Sequence, residues 1–478
     1  MKKFVDKKNN RRSEFLMSNL ESLSVMDQIK NNNEPRKDWM DDEWKMILTN
    51  QFHDIIPGSA IKEVYDVTDT EYAKFFKEGK SYQDEMLNNL IKDYKGTIIF
   101  NPTPFTQNGY VNVDNKKYFV KDIPSKGFKS VVLNNSNKAK IKDKLLENDY
   151  LKVTFNDKYE ILSIFDKQNN REILKNKAMI KGYEDYSHMF EAWELRNYYR
   201  EKELILDFVK VEQIDNGGEK GFRVTRKLAD SMIYETISLY DELDTLNFNV
   251  ELDWKNKNLM IKSTFPIDVN SLVATCDIQF GKVERPTVEN TSWDQAKFEV
   301  CAHKYVDISE GNYGVSLIND CKYGHSLTDN VIGLTLIKCT HYPNEGTDIG
   351  HHEMSFILSP HKGNFTQSDT VKKAYLLNNP FIVKEGKGNQ DADYSFISSS
   401  HDNVVIDTIK PSENKDGYIV RMYETMNSKT NVTLTFGEKV KKAYLTNLME
   451  ENINEVDVKD NKISFTIKPF EIVTLRIK

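Results

Sequence analysis

Lys95-Gly96-Thr97-Ile98-Ile99-Phe100-Asn101-Pro102 is where the chain changes character. Before it, apolar residues recur at three- and four-residue steps, the spacing of one helix face. After it they alternate, the spacing of one strand face. Upstream, Leu16, Leu20, Leu23 and Met26 predict an amphipathic helix between Arg11 and Lys30. Asn31-Asn32-Asn33-Glu34-Pro35 reads as a connection. Trp44, Ile47, Leu48 and Phe52 carry a second helical pattern that stops near Pro57-Gly58, and Ser59 is expected to cap a third helix. That third pattern runs from Ile61 through Tyr65, Tyr72, Phe75, Tyr82 and Met86 to Ile91. Amphipathic helices joined by short links predict an antiparallel three-helix bundle over residues 1–95.

Downstream, Tyr110-Val111-Asn112-Val113, Tyr118-Phe119-Val120, Ser130-Val131-Val132-Leu133, Tyr150 to Phe155 and Glu160 to Phe165 are strand patterns separated by Pro, Gly and Asn turns. Strand-like runs continue to Ile477 without a convincing long helix. The expected class is α+β: an N-terminal three-helix bundle followed by all-β sandwich domains. Residues 96–378 are expected to hold a small β segment and a large sandwich, and residues 379–478 a C-terminal sandwich beginning after Asn378-Asn379-Pro380.

Of 478 residues, 39% are hydrophobic, and 23 Tyr and 25 Phe supply bulk for several cores, which argues against disorder. A net charge of −7 with no basic stripe argues against a nucleic-acid partner. No run of about 18 apolar residues predicts a membrane span, and no apolar stretch of signal-peptide length follows the basic start. Cys276, Cys301, Cys321 and Cys339 are scattered without a C-x-x-C pair, which suits reduced thiols and a cytoplasmic location.

Two histidine clusters could carry chemistry. His53-Asp54 follows the second helix just before Pro57-Gly58, so the ring can point out of the end of the bundle. There a neutral imidazole can bind a divalent metal, and the carboxylate can accept hydrogen bonds from a polar ligand. On spacing alone the better reading of the pair is a helix terminus that satisfies loop amides. The second cluster, Asp348-Ile349-Gly350-His351-His352-Glu353, lies in a strand context that turns the two imidazoles to opposite faces, so one packed and one solvated histidine is expected. Asn197-Tyr198-Tyr199-Arg200-Glu201-Lys202 reads as a surface strand and turn. No phosphate loop and no G-x-S-x-G elbow is present.

The run from Trp44-Lys45-Met46-Ile47-Leu48-Thr49-Asn50-Gln51-Phe52-His53-Asp54 to Ile55-Ile56-Pro57-Gly58-Ser59-Ala60-Ile61 closely resembles the signature of family-38 glycoside hydrolases, the class II α-mannosidases. Asn9-Asn10-Arg11-Arg12-Ser13-Glu14, Ile99-Phe100-Asn101-Pro102, Glu284-Arg285-Pro286-Thr287, Asn290-Thr291-Ser292-Trp293-Asp294, His303-Lys304-Tyr305, the run Tyr313 to Gly324, and Lys468-Pro469-Phe470-Glu471-Ile472 extend the resemblance in collinear order. The pattern is nearer the cytosolic and bacterial branch than the Golgi or lysosomal one.

The resemblance implies a metal-assisted, retaining hydrolysis of terminal α-mannosyl linkages in mannosides and oligosaccharides. It also implies one divalent ion, zinc or alternatively cobalt, holding the sugar hydroxyls. Two carboxyls acting as nucleophile and acid/base would stand about 5 Å apart. By motif position His53 corresponds to the family's last metal ligand and Asp54 to the neighbouring carboxylate that contacts mannose. The family's N-terminal barrel supplies an H-x-D ligand pair, the nucleophile and the general acid; no H-x-D triplet occurs here. Glu191, before Ala192-Trp193, stands where aspartate is more usual. The expectation is therefore a C-terminal portion with no catalytic carboxyl of its own. It would be inactive alone, would be completed by a barrel polypeptide, and would present an apolar barrel-facing surface. Homo-oligomers also fit the resemblance. A second function class fits the sandwiches: a non-catalytic carbohydrate-binding or scaffold protein, whose mannose affinity would survive His53→Ala and chelation.

Overall fold

The computed structural model describes residues 2–187 and 189–478, with side chains from residue 6 onward. The expected α+β class is observed. Helices α1 (Lys2–Asn31), α2 (Lys37–Asn50) and α3 (Lys62–Leu90) pack up-down-up and are followed by antiparallel sheets. Helix α3 buries Tyr65, Thr68, Tyr72, Phe75, Gly79, Tyr82 and Met86, an alternation of three- and four-residue steps that keeps one stripe on α1. Gly79 sits where the two helices come closest: a Cβ there would lie 3.1 Å from Leu16 Cδ2.

Helix α1 departs from the amphipathic expectation. It starts earlier than Arg11 and is buried on both sides, against α3 through Leu16, Leu20 and Leu23 and against the β body through Arg11, Asn19 and Glu21. Its polar groups are tolerated because distant partners meet them. Asn19 and Asn379 exchange side-chain hydrogen bonds at 2.8 and 3.0 Å, and the Trp44 indole N–H donates to Glu21 at 3.0 Å. The third helix begins at Lys62 behind an Ile61 N-cap; Ser59 instead donates its hydroxyl to Asp54 Oδ1.

The large sandwich pairs two sheets across one core. The nine-stranded sheet runs from the edge strand Asp207–Asp215 through Glu219–Leu228, Ser231–Tyr240 and Leu246–Trp254 to Gly350–Lys362, and then through Tyr313–Asn319, Tyr305–Ser309, Val273–Ile278 and Gly281–Pro286. The facing six-stranded sheet is centred on Leu259–Pro266 and Val331–Lys338. Leu246, Phe248, Val250, Leu252 and Trp254 point inward at every second residue, and Phe248 stacks on Phe356 at 4.7 Å. Asn197–Glu201 forms a 3-10 turn that buries Tyr199 against the outer face of the smaller sheet, where a surface strand and turn was expected. The C-terminal sandwich pairs a three-stranded with a five-stranded sheet.

One four-stranded sheet is woven from distant segments. Lys95–Asn101 and Gly127–Val131 are flanked by Ile382–Lys387 and Asp393–Ser395. The division expected at residue 379 thus cuts through a shared sheet, and helical head, this sheet and the C-terminal sandwich share one apolar core. A sequence boundary cannot show such sharing, because pairing partners almost 300 residues apart leave no local signal. Among the described residues no helix is long and apolar enough to cross a membrane.

Burial pushes the Glu21 carboxyl from 4.5 up to about 7. The folded chain therefore binds a proton there that the unfolded chain releases near 4.5, and this group's contribution to stability falls as pH rises from about 4.5 to about 7. Relative to Glu21→Gln, the wild type should lose on the order of 2–3 kcal/mol between pH 5 and pH 8 in urea unfolding. Parallel pH dependences for the two proteins would contradict this account of the buried helix face.

Candidate functional site

Helix α2 is followed by its C-cap Gln51, whose side-chain amide donates to Asn10 Oδ1 at 3.0 Å and Glu14 Oε1 at 2.8 Å and so ties the helix end to α1. The chain then winds through successive turns: the Ile55 N–H bonds to Phe52 O, Gly58 N–H to Ile55 O and Ser59 N–H to Asp54 O, at 2.9, 3.0 and 3.1 Å. Gly58 has φ +89°, the left-handed region that glycine enters at least cost. Beneath the loop lies Tyr65, fully buried, whose hydroxyl accepts the Ala60 N–H at 3.0 Å and reaches the Asp54 carbonyl at 3.3 Å.

This framework fixes the backbone and leaves the two side chains of interest outside. The His53 side chain is 78% exposed and that of Asp54 42%. A histidine this open is not a packed core residue. Asp54 uses one oxygen on Ser59, at 3.0 Å, and turns the other toward His53 Nε2, 3.5 Å away. The Phe52 ring, itself exposed, lies 4.2 Å from the imidazole.

Four other histidines are placed elsewhere. His351 is exposed and paired with Glu353 at 3.1 Å, while His352 faces inward against the Asp348 carbonyl at 2.6 Å, the alternation expected of a strand. Burial lowers His303 to about 4, His325 to about 3 and His352 to about 4, so all three are neutral at physiological pH. Among the described residues no three His, Cys, Asp or Glu side chains are grouped so as to hold a metal ion. His53 and Asp54 by themselves do not make a metal site, which needs three or four ligands.

A second exposed element lies close by, and periodicity gave no hint of it. Pro57 and Trp193 border the same cavity of about 290 Å³, between the His53 loop and the segment that follows residue 188. Trp193 and Phe190 stand exposed with their rings 6.1 Å apart and edge to face. Glu191 is committed to this turn: its carboxylate accepts the His341 N–H at 2.6 Å and its carbonyl accepts the Lys338 ammonium at 2.7 Å. Phe190 and Trp193 thus form an apolar ledge at a cavity that the His53 loop borders through Pro57, an arrangement suited to the apolar face of a sugar.

Known proteins share both the sequence and this architecture. The alpha mannosidase middle domain matches residues 4–90, the glycosyl hydrolases family 38 C-terminal domain residues 146–345, and the family 38 C-terminal beta sandwich domain residues 403–475. The chain belongs to glycoside hydrolase family 38. Alpha-mannosidase 2C1 of Homo sapiens is 27% identical over 464 residues, which cover 90% of this chain and 45% of that protein. An alpha-mannosidase of Saccharomyces cerevisiae is 28% identical over 481 residues, covering 91% of this chain and 43% of that one. The chain thus spans about half the length of the curated relatives it matches. The crystal structure of an alpha-mannosidase from Enterococcus faecalis superposes with a TM-score of 0.84 at 15% identity, covering all of this chain and 67% of that one, and so shares the fold.

Within the family 38 framework the signature run divides into residues that hold the loop and residues it presents. Gln51 and Ser59 belong to the first group, Tyr65 beyond the run supports them from α3, and removing its hydroxyl should uncouple them. Tyr65→Phe should cost about 1–3 kcal/mol in unfolding experiments, because the Ala60 N–H loses its acceptor, and amide exchange at Ala60 should accelerate. His53→Ala, on an open side chain, should change stability by less than about 0.5 kcal/mol.

Proposed function

We propose that this chain supplies the His53–Asp54 loop to the active site of an α-mannosidase that cleaves terminal α-mannosyl linkages with retention. The observation that carries the reading is the pairing of a hydrogen-bonded loop backbone with an outward imidazole and carboxylate, on a loop whose Pro57 borders the same cavity as Trp193. Family membership supports the glycosidase class, and the names of the relatives support mannosides as substrates.

In this reading His53 is one ligand of a divalent metal, zinc or alternatively cobalt, whose remaining ligands lie on a catalytic domain outside these residues. A bound ion would supply an anchor for sugar hydroxyls. Asp54 keeps one oxygen on Ser59, so the other is aimed and can accept a hydrogen bond from a mannose hydroxyl. Phe190 and Trp193 cover the apolar face of the ring and exclude water from that side. Nucleophile and acid/base carboxyls, about 5 Å apart, come from the same external domain. The four unpaired cysteines suit a reducing, cytoplasmic setting.

Hydrolysis of a chromogenic α-mannoside, with zinc or cobalt added, tests the proposal on the chain alone and co-expressed with the polypeptide encoded immediately upstream. Activity is expected only in the co-expressed sample, and His53→Ala should reduce it on the order of 100-fold or more. Turnover by the lone chain, or full activity in the variant, would overturn the assignment. Mannose binding that survives both His53→Ala and chelation, without turnover, would make the chain a carbohydrate-binding module instead.

A further inference from the structure

A cleft of about 500 Å³ runs along the buried polar face of α1, where the helical head and both sandwiches meet. Arg11, Glu14, Ser18 and Glu21 follow one another there at three- and four-residue steps and form one row about 15 Å long. Facing the row are Lys126, in the turn before strand Gly127–Val131, and Asp407, at a bulge in strand Val404–Pro411. Leu48 and Phe280 stand exposed at the rim. The volume is that of a small-molecule site.

Lys126 has no evident structural purpose in this cleft. It is only 2% exposed, yet among the described residues no acceptor or carboxylate pairs with its ammonium; Glu21 and Asp407 act on its charge only from a distance. Three other lysines placed away from solvent are paired with carboxylates: Lys262 with Glu299, Lys304 with Asp277 at 2.9 Å, and Lys373 with Asp244 at 2.8 Å and Asp369 at 3.0 Å. An unpaired buried ammonium opposes folding, whereas a methionine of similar length would not. Across the cleft, burial raises both Glu14 and Glu21, the latter to about 7, so near neutral pH the Glu21 carboxyl can donate as well as accept hydrogen bonds. Ser18 adds a hydroxyl, and Phe280 an apolar surface.

We propose that this cleft binds a small polyhydroxylated molecule bearing one oxyanion, a sugar acid or a sugar phosphate, with the oxyanion on Lys126 and its hydroxyls on Glu14, Glu21 and Asp407. Such a ligand touches the helical head and both sandwiches at once. It also reaches the base of the His53 loop, because Gln51 donates to Glu14.

Isothermal titration calorimetry of the full chain with gluconate, glucose 6-phosphate, inorganic phosphate and neutral glucose tests the proposal. Saturable binding of gluconate or glucose 6-phosphate is expected, with none for glucose, and the stronger of the two identifies the oxyanion. Lys126→Met should weaken it at least tenfold, and Ser18→Leu, which fills the cleft without touching the lysine, should do the same. Lys158→Met, at an exposed position, should leave it unchanged. Should Lys126→Met not fold, Ser18→Leu decides. No saturable binding of either compound, binding undiminished in the cleft variants, or inorganic phosphate binding as tightly as both would overturn the proposal.

Discussion

The Arg11 guanidinium is the contact on which the arrangement of this molecule turns. It is 3% exposed and reaches out of a helix in the first tenth of the chain to the far end of a central strand of the large sandwich. Nη1 donates to the Asn319 carbonyl at 3.2 Å and lies within reach of the side chains of Asn319 and Asn378, at 3.4 and 3.3 Å. Nε donates to the Tyr323 hydroxyl at 3.2 Å, and the guanidinium plane sits 4.4 Å from the centre of that ring. Asn319 in turn takes the Cys321 and Lys322 N–H groups at 3.0 and 2.6 Å and donates to His303 at 3.1 Å. A buried cation satisfied on one edge by oxygens and on its face by an aromatic ring is demanding in geometry. It therefore fixes the distance and rotation of α1 against the sheet.

The functional loop inherits that placement. Three residues beyond Arg11, Glu14 receives the side chain of Gln51, and two residues beyond Gln51 the imidazole of His53 emerges. Position passes from the sandwich to α1, from α1 to the end of α2, and from there to the exposed pair. A flexible link at any stage would leave His53 with no defined relation to the Trp193 ledge, which is carried by the large sandwich. Rigid elements and a satisfied polar shell make such a pair useful to a ligand before the ligand arrives.

Much of this was legible in the sequence, and the failures have physical reasons. The heptad-like steps of α3 and the alternation in Leu246–Trp254 record burial against a single neighbour, which periodicity reports faithfully. Helix α1 lies between two neighbours, so its polar residues read as a solvated face although they are buried. The resemblance picked out Arg11, Asn319 and Tyr323 within motif runs but could not show that those runs touch each other. Ser59 had the chemistry of an N-cap and serves Asp54 instead, a choice made by the turn around Gly58. The Trp193 ledge lies in an irregular segment with no period to read, and Lys126 became conspicuous only once its surroundings proved to be buried.

Hydrogen exchange of the Arg11→Met variant tests most directly the claim that sandwich, helix and loop are positioned in series. Exchange should accelerate together in α1 and in the loop 51–61, while the strand Leu246–Trp254 in the core of the large sandwich keeps its protection. A loop that retains full protection while α1 loses its own would contradict the account and would mean that His53 is placed by the loop's own turns alone.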